Sequence, residues 1–420
     1  MNNNLDQLYS RVSRRLMPFL FLCFVAAYLD RVNVGFAKLQ MQADLQFSDA
    51  VYGAGAGIFF LGYFLFEVPS NLLMTRTGAR IWIARIMISW GLISSALMFA
   101  TSAASFYVLR FLLGVAEAGF FPGIILYLTY WYPAQRRARM VALFMSGVAV
   151  AGVVGGPLSG WIMTAFAGLN GWAGWQWLFL LEGLPSVLLG VWTLFYLDDG
   201  IRAARWLGED DKQALERELA AERSQQQQLP LARLFGSARV WLLALVYFLC
   251  VMGLYGVSFW LPQLIKNSGV TDVFDIGLLS AVPYGVAALT MVLAARHSDR
   301  TGERRWHTAA AALAGALGLA AATVYSDNTV IALAALSVAT AGILSTFPIF
   351  WSLPTAMLGG AAAAAGIAMI NSIGNLAGFV APYLVGAIRD ATGSTASGIY
   401  LIAASLAAGA LLVVTAVRRG

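Results

Sequence analysis

The sequence predicts an all-α polytopic membrane protein, with twelve transmembrane helices in two related six-helix halves. Three observations carry this prediction. The 420-residue chain is 60% hydrophobic and only 11% charged, whereas a soluble protein carries about a quarter charged residues. Apolar runs long enough to cross a bilayer, about 20 residues each, recur along the whole length. Sequence anchors in the first half return in the second at one offset. A transmembrane barrel would instead show short alternating segments.

The spans fall at roughly 16–38, 51–74, 80–102, 105–130, 139–165, 175–196, 239–264, 275–295, 307–326, 329–352, 364–388 and 396–417. The first follows a polar, basic stretch. It is too long for a signal-peptide core, contains Asp30 and Arg31, and has no cleavage site, so it is expected to remain as a helix. Loops on one side carry Arg11, Arg14, Arg15, Arg76, Arg80, Arg136, Arg137, Arg139, Arg296, Arg300, Arg304, Arg305, Arg418 and Arg419. Loops on the other carry Lys38, Lys266 and Arg389. This asymmetry puts both termini in the cytoplasm. The net charge of +6 is mostly these loop residues; it reports topology and points to no nucleic acid. Cys23 and Cys250 sit singly in apolar runs and read as packing residues, neither metal ligands nor a disulfide.

One long polar stretch, 197–238, divides the chain into bundles at 1–196 and 239–420. Its Glu209–Glu218 part reads as a surface helix of mixed charge, ended by Gln225 to Gln228 and Pro230; a solvated linker is expected. The halves repeat. Arg76-Thr77-Gly78 matches Arg300-Thr301-Gly302, and Phe121-Pro122 matches Phe347-Pro348. Gly152, Gly156-Pro157 and Gly160 match Gly378, Ala381-Pro382 and Gly386. All three pairs lie about 225 residues apart, which argues for an internal repeat.

The stretch Arg110-Phe-Leu-Leu-Gly-Val-Ala-Glu117 sets an arginine and a glutamate on one helical face, roughly 10 Å apart along the axis. Gly114 lies between them, and open space is expected there. Ionisable groups at this depth cost roughly 2.5–3.5 kcal/mol each on insertion scales and are usually functional. Asp30 lies roughly 21 Å into the first span from its entry, and Arg110 under about 10 Å into the fourth from the other side. In a core about 30 Å thick these depths coincide, so the two are expected to pair if their spans are neighbours. Asp30, Arg31, Arg110 and Glu117 sum to zero charge. A substrate dianion adds two negative charges, and protonating Asp30 and Glu117 restores neutrality. In this scheme Arg31 and Arg110 take carboxylates through their planar forks. The matching second-half positions carry no charge, so that half is expected to supply neutral groups: Tyr255, Ser258, Tyr284, Trp351, Asn371, Ser372 and Asn375. Tyr28, Asn33 and Tyr63 do the same in the first. Glu67 is expected to anchor the basic loop, Glu182 to be structural, and His297 and His307 to be solvated with no metal.

His297-Ser298-Asp299-Arg300-Thr301-Gly302-Glu303-Arg304-Arg305 resembles the D-R-x-G-x-R-R loop signature of the major facilitator superfamily; the first-half copy departs, with Thr75 where that Asp would be. Tyr28 to Gly35, Glu67 to Asn71, Gly78 to Arg80, Arg110 to Gly123 and Phe259 to Pro262 resemble the anion:cation symporter family within it. The resemblance covers essentially the whole chain. It implies the twelve-helix fold, arginines matching Arg31 and Arg110 on the substrate, and carboxylates matching Asp30 and Glu117 in coupling. It also implies cytoplasmic gating contacts at Arg80, Asp299, Arg300 and Arg304, and a monomer. The expected function is proton-coupled import of a small organic acid anion across a bacterial inner membrane, with a hydroxylated dicarboxylate such as tartrate as substrate. A sugar acid comes second and an aromatic acid third. The glycines of spans five and eleven partly resemble those of drug/proton antiporters, which keeps an exporter or exchanger in view. There is no Walker A loop, dinucleotide fingerprint or Ser-His-Asp arrangement, so neither cofactor nor enzyme activity is expected. A sensor that binds the acid without moving it is disfavoured, because the sequence holds no soluble output domain.

Overall fold

A computed structural model describes residues 2–223, 236–357 and 361–416. It holds twelve helices long and apolar enough to cross a membrane. In chain order they are α1 (Leu5–Asp44), α2 (Asp49–Thr77), α3 (Ala79–Phe99), α4 (Ala103–Thr129), α5 (Gln135–Ala165) and α6 (Gly174–Tyr196). The second six are α7 (Ala238–Asn267), α8 (Val273–Thr301), α9 (Arg305–Val324), α10 (Thr329–Pro354), α11 (Gly366–Thr392) and α12 (Thr395–Ala416). The outward faces leave large apolar side chains bare, among them Leu188, Phe195 and Val330. Such surfaces suit a hydrocarbon solvent and no aqueous one.

Several spans depart from the hydropathy reading. α1 starts well before Leu16, because Leu8, Tyr9 and Val12 form a buried stripe. Tyr9 stacks on Tyr132 with ring centres 5.9 Å apart. α4 is not continuous. Its helix stops at Glu117, Ala118 turns extended and Gly119 takes φ +85° before a new helix starts at Phe120. Pro122 has no N–H to give the Ala118 carbonyl, and only glycine adopts that φ cheaply. The repeat-related spans α5 and α11 are interrupted at Ser146 and Leu376.

Gly114 does not leave open space. A Cβ there would stand 1.9 Å from the Phe59 carbonyl oxygen, so the glycine lets α2 and α4 touch backbone to backbone. Glycines also join the two halves, and they do so twice in the pattern the repeat requires. Gly53 and Gly57 of α2 meet the Pro382 and Phe379 carbonyls of α11. Gly156 and Gly160 of α5 meet the Gly277 and Val273 carbonyls of α8. Both seams lie in the part of the membrane far from the chain termini.

That far end carries a polar clasp. Asp49 pairs with Lys38 at 2.7 Å and with Arg389 of the second half at 3.0 Å. Asp390 accepts the backbone N–H groups of Asp49 and Ala50 at 3.0 and 2.9 Å, capping the start of α2. Tyr52 donates to the Phe259 carbonyl at 2.9 Å. The Lys38 ammonium lies 3.8 Å from the centre of the Trp260 ring, a contact that replaces part of its lost hydration. The structure is therefore closed at this end.

The stretch read as a solvated linker docks on the first half. Its helix, Glu209–Arg223, buries Leu215 and Leu219. Tyr9 donates to Glu218 at 2.8 Å, and Arg11 pairs with Asp211 at 2.8 Å. Trp206 stacks on Trp131 with centres 5.8 Å apart. Gln225 to Gln228 and Pro230, read as ending this helix, lie outside the described residues, as do Arg418 and Arg419.

Two outcomes follow from this packing. Gly114→Leu forces α2 from α4 and is expected to cost more than the ~1–3 kcal/mol of ordinary overpacking, read as a large fall in the thermal midpoint of the detergent-solubilised protein. Asp49→Asn removes the anion between two cations and leaves Lys38 buried and unpaired, a loss of about 3–5 kcal/mol where nothing relaxes. Spin labels at Gln46 and Ser394 should then report longer distances across the far end; an unchanged distribution would show that the glycine seams alone hold it shut.

Candidate functional site

Arg31 is the hub of the interior. Its guanidinium pairs with Glu117 and donates to the Tyr255 hydroxyl at 3.2 Å. It lies 5.3 and 5.5 Å from the ring centres of Phe59 and Tyr63. One side chain of α1 thus touches α2, α4 and, across the halves, α7. The break after Glu117 places that carboxylate at the end of a helix, where the dipole favours a cation beside it.

Asp30 turns the other way. Consecutive helical residues point about 100° apart, so when Arg31 faces the centre, Asp30 faces α3 and α6. It accepts from Trp90 Nε1 at 3.0 Å, from Ser94 Oγ at 2.7 Å and from Ser186 Oγ. The expected Asp30–Arg110 pair is therefore not formed. Their depths matched, but their directions around the bundle do not. Arg110 instead donates to the Gly55 and Ala56 carbonyls at 3.2 and 3.0 Å. Each carbonyl has a second lone pair beyond its helical bond. Arg110 also lies 5.2 Å from the Phe59 ring centre, so both guanidiniums sit against one ring. Its Nη1 and Glu117 Oε2 are buried without a hydrogen-bond partner.

Most neutral candidates gather around this hub. Tyr28 and Ser258 share a 3.0 Å hydrogen bond between the halves, and Tyr284 donates to Ser258 at 3.4 Å. Asn33 is buried with both amide atoms unpartnered and lines a cavity with Ser159, Ser258, Ser280 and Tyr284. Asn371 and Asn375 are partly exposed on one face of α11, a turn apart. Trp351 stands farther out, packed on Tyr247 with ring centres 4.7 Å apart.

Glu67 does not anchor the basic loop. Its Oε2 accepts from Ser372 Oγ at 3.3 Å across the halves, so it faces the second half and not the loop. The signal was in the sequence: Glu67 follows Tyr63 by one helical turn and shares its face. The donors around Asp30 were missed, although Trp90 and Ser94 stand four apart, and so do Ser186 and Glu182, the latter expected to be structural. Among the described residues, the hydrogen bonds and ion pairs of the residues assigned to gating do not join the two halves. The Arg80 backbone N–H donates to Asp199 at 2.9 Å. Asp299 pairs with Arg304, and Arg300 is exposed. His297 and His307, expected to be solvated, share a 2.7 Å hydrogen bond; His297 is exposed and His307 half-buried. Among the described residues, no three His, Cys, Asp or Glu side chains are grouped to hold a metal ion.

Comparison with known proteins places this architecture. The family model described as Major Facilitator Superfamily matches residues 20–382. A Pseudomonas putida protein named "Putative metabolite transport protein NicT" is 48% identical over 97% of this chain and 94% of its own length. An Agrobacterium vitis protein named "Putative tartrate transporter" is 51% identical over 98% of this chain and 95% of its own. The xylose transporter XylE from E. coli, solved in a partially occluded inward-open conformation, superposes with a TM-score of 0.77 at 13% identity, over 96% of this chain and 99% of that one. The chain is a multi-pass membrane protein and belongs to the major facilitator superfamily.

Proposed function

We propose that this protein is a proton-coupled symporter that imports a small organic acid anion, a hydroxylated dicarboxylate such as tartrate, across a bacterial inner membrane. Both termini face the cytoplasm, so the clasped end faces outward. The bundles 1–196 and 239–420, joined by 197–238, rock about the central site, and one chain suffices for transport.

The observation that carries this reading is the Arg31–Glu117 pair. Among the four charges at this depth it is held by another movable side chain, while Arg110 is held by backbone and Asp30 by three fixed donors. A substrate carboxylate competes with Glu117 for Arg31. The displaced Glu117 then stands buried without its cation, which is costly, and a proton relieves that cost. Uptake of anion and proton is thereby linked at one guanidinium. The free Arg110 Nη1, against the same Phe59 ring, suits a second carboxylate. Tyr255, Ser258, Ser372, Asn371 and Asn375 offer hydroxyl and amide partners to the hydroxyls of the acid. The likeness to the A. vitis protein named "Putative tartrate transporter" supports the same substrate class.

Purified protein in liposomes holding a pH dye tests this directly. Added tartrate should acidify the interior, and Glu117→Gln should abolish that signal. Exchange of tartrate against preloaded anion with no proton movement would replace symport by antiport. Response to galactonate or hydroxyphenylacetate alone would move the substrate to a sugar or aromatic acid. Arg31→Lys keeps the charge but loses the fork. With charge-assisted hydrogen bonds contributing about 1.5–3 kcal/mol each, tartrate affinity should fall by roughly tenfold to a hundredfold, measured by equilibrium binding.

A further inference from the structure

Asp30 is sealed. It has no exposed surface, and three donors from α3 and α6 occupy its carboxylate. A group so enclosed needs a conductor if it is to exchange a proton with the transport pathway. We propose that Glu182 is that conductor, a proton-carrying residue linking the cavity at Asn33 and Ser159 to Asp30.

The donors are already aligned. Ser159 lines the cavity and donates to Glu182 Oε1 at 2.7 Å. Glu182 Oε2 is buried and receives no hydroxyl or cation, and the Asn33 amide stands beside the same carboxylate, so the group adjoins the cavity that Asn33 lines. Ser186 stands four residues on, on the same face of α6, and donates to Asp30 Oδ2. Ser159 directs its proton to Glu182, and Ser186 directs its own to Asp30. A proton arriving at Ser159 Oγ releases the hydroxyl's own proton to Glu182; the Glu182 carboxyl then swings one helical turn to hand it to Ser186, whose own proton passes to Asp30. Each serine ends as it began, and the net transfer is one proton from cavity to carboxylate. At Asn33, whose amide atoms are unpartnered, the cavity measures about 20 Å³, above the roughly 10–15 Å³ that one water needs.

The surroundings of Glu182 fit a carrier better than a structural tie. Asp30 is the titratable group beside it on α1, which also presents Asn33, and α5 presents Ser159. Tyr284 lines the same cavity. No cation among the described residues lies within 4 Å of its carboxylate, in contrast to Glu117. This route is separate from the Arg31–Glu117 pair, so it gives the carrier a second proton site with its own entrance.

The inference rests on the proton-coupled reading above, and the test separates the two. Wild type, Glu182→Gln and Ser159→Ala are compared in the dye-loaded liposomes for interior acidification and for tartrate counterflow, which needs binding and rocking but no net proton. Glu182→Gln should lose at least tenfold in acidification and keep counterflow, and Glu182→Asp should restore part of the acidification. Ser159→Ala should slow acidification several-fold with counterflow kept, and serves if Glu182→Gln fails to fold. Infrared difference spectra on adding tartrate should lose a carboxylic-acid carbonyl band in Glu182→Gln. Acidification at the wild-type rate in Glu182→Gln or Ser159→Ala overturns the relay and leaves symport standing. Loss of counterflow together with acidification in both variants overturns it as well, since that marks a structural role. Wild type that shows counterflow but no acidification overturns symport itself, and the relay with it.

Discussion

The interior is organised by the cost of burying charge. Four ionisable side chains sit at mid-depth, and each left alone would cost roughly 2.5–3.5 kcal/mol on insertion scales. The protein settles them by three different devices. Arg110 leans on the spare lone pairs of two carbonyls, and Asp30 collects three neutral donors. Arg31 and Glu117 take each other. The first two devices are rigid, since backbone and tightly packed α3 and α6 side chains do not move aside for a ligand. The third can be rearranged. A site that must bind an anion and later release it needs one charge whose partner can be exchanged, and the Arg31–Glu117 pair is of that kind.

Around this pair the halves meet without welding. The glycine seams of α2 with α11 and α5 with α8 bring backbones into contact, with the Phe60 ring over Gly378 and the Tyr284 ring over Gly152, so a rigid rotation separates them by lifting rings off flat glycine surfaces. Two states of a transporter differ by only a few kcal/mol, and a seam of long interdigitated side chains would hold one state too firmly. The clasp at Asp49 adds polar bonds that break together when the halves part. Asp49 keeps Lys38 when Arg389 leaves, because Lys38 belongs to the same half. Opening this end therefore exposes a solvated arginine and no bare buried carboxylate.

The twelve spans, the pseudo-repeat and the chemistry-bearing residues were legible because hydropathy and helical spacing are one-dimensional signals. Direction around a bundle is not. Asp30 and Arg110 share a depth, yet α1 turns Asp30 toward α3 and α6 while Arg110 faces α2. Gly114 looked like a gap because a missing side chain reads as space; it is filled by the Phe59 carbonyl. Glu67 sits near a basic loop in sequence, but one turn of helix from Tyr63 carries it toward Ser372. The break after Glu117 was written in Gly119 and Pro122, two residues that a hydropathy average passes over. Docking of the 209–223 helix was hidden by its charge, since only Leu215 and Leu219 mark the buried face.

The uneven distribution of charge between the halves bears on how such a protein moves. Asp30, Arg31, Arg110 and Glu117 belong to α1 and α4, Glu67 to α2 and Glu182 to α6, and the second half meets the first with hydroxyls: Tyr255 on Arg31, Ser258 on Tyr28, Ser372 on Glu67. A net hydrogen bond of this kind contributes about 0.5–1.5 kcal/mol, or roughly twice that to a charged group. Separating the halves at mid-depth thus breaks a few modest bonds and leaves every ion pair intact within the first half. Had one member of the Arg31–Glu117 pair stood in the second half, each cycle would strand a buried charge, at about 3–5 kcal/mol. Placing the charges in one half and neutral donors in the other keeps the rocking barrier independent of the protonation step, so that a substrate carboxylate on Arg31 changes the charge balance without gluing the bundles together.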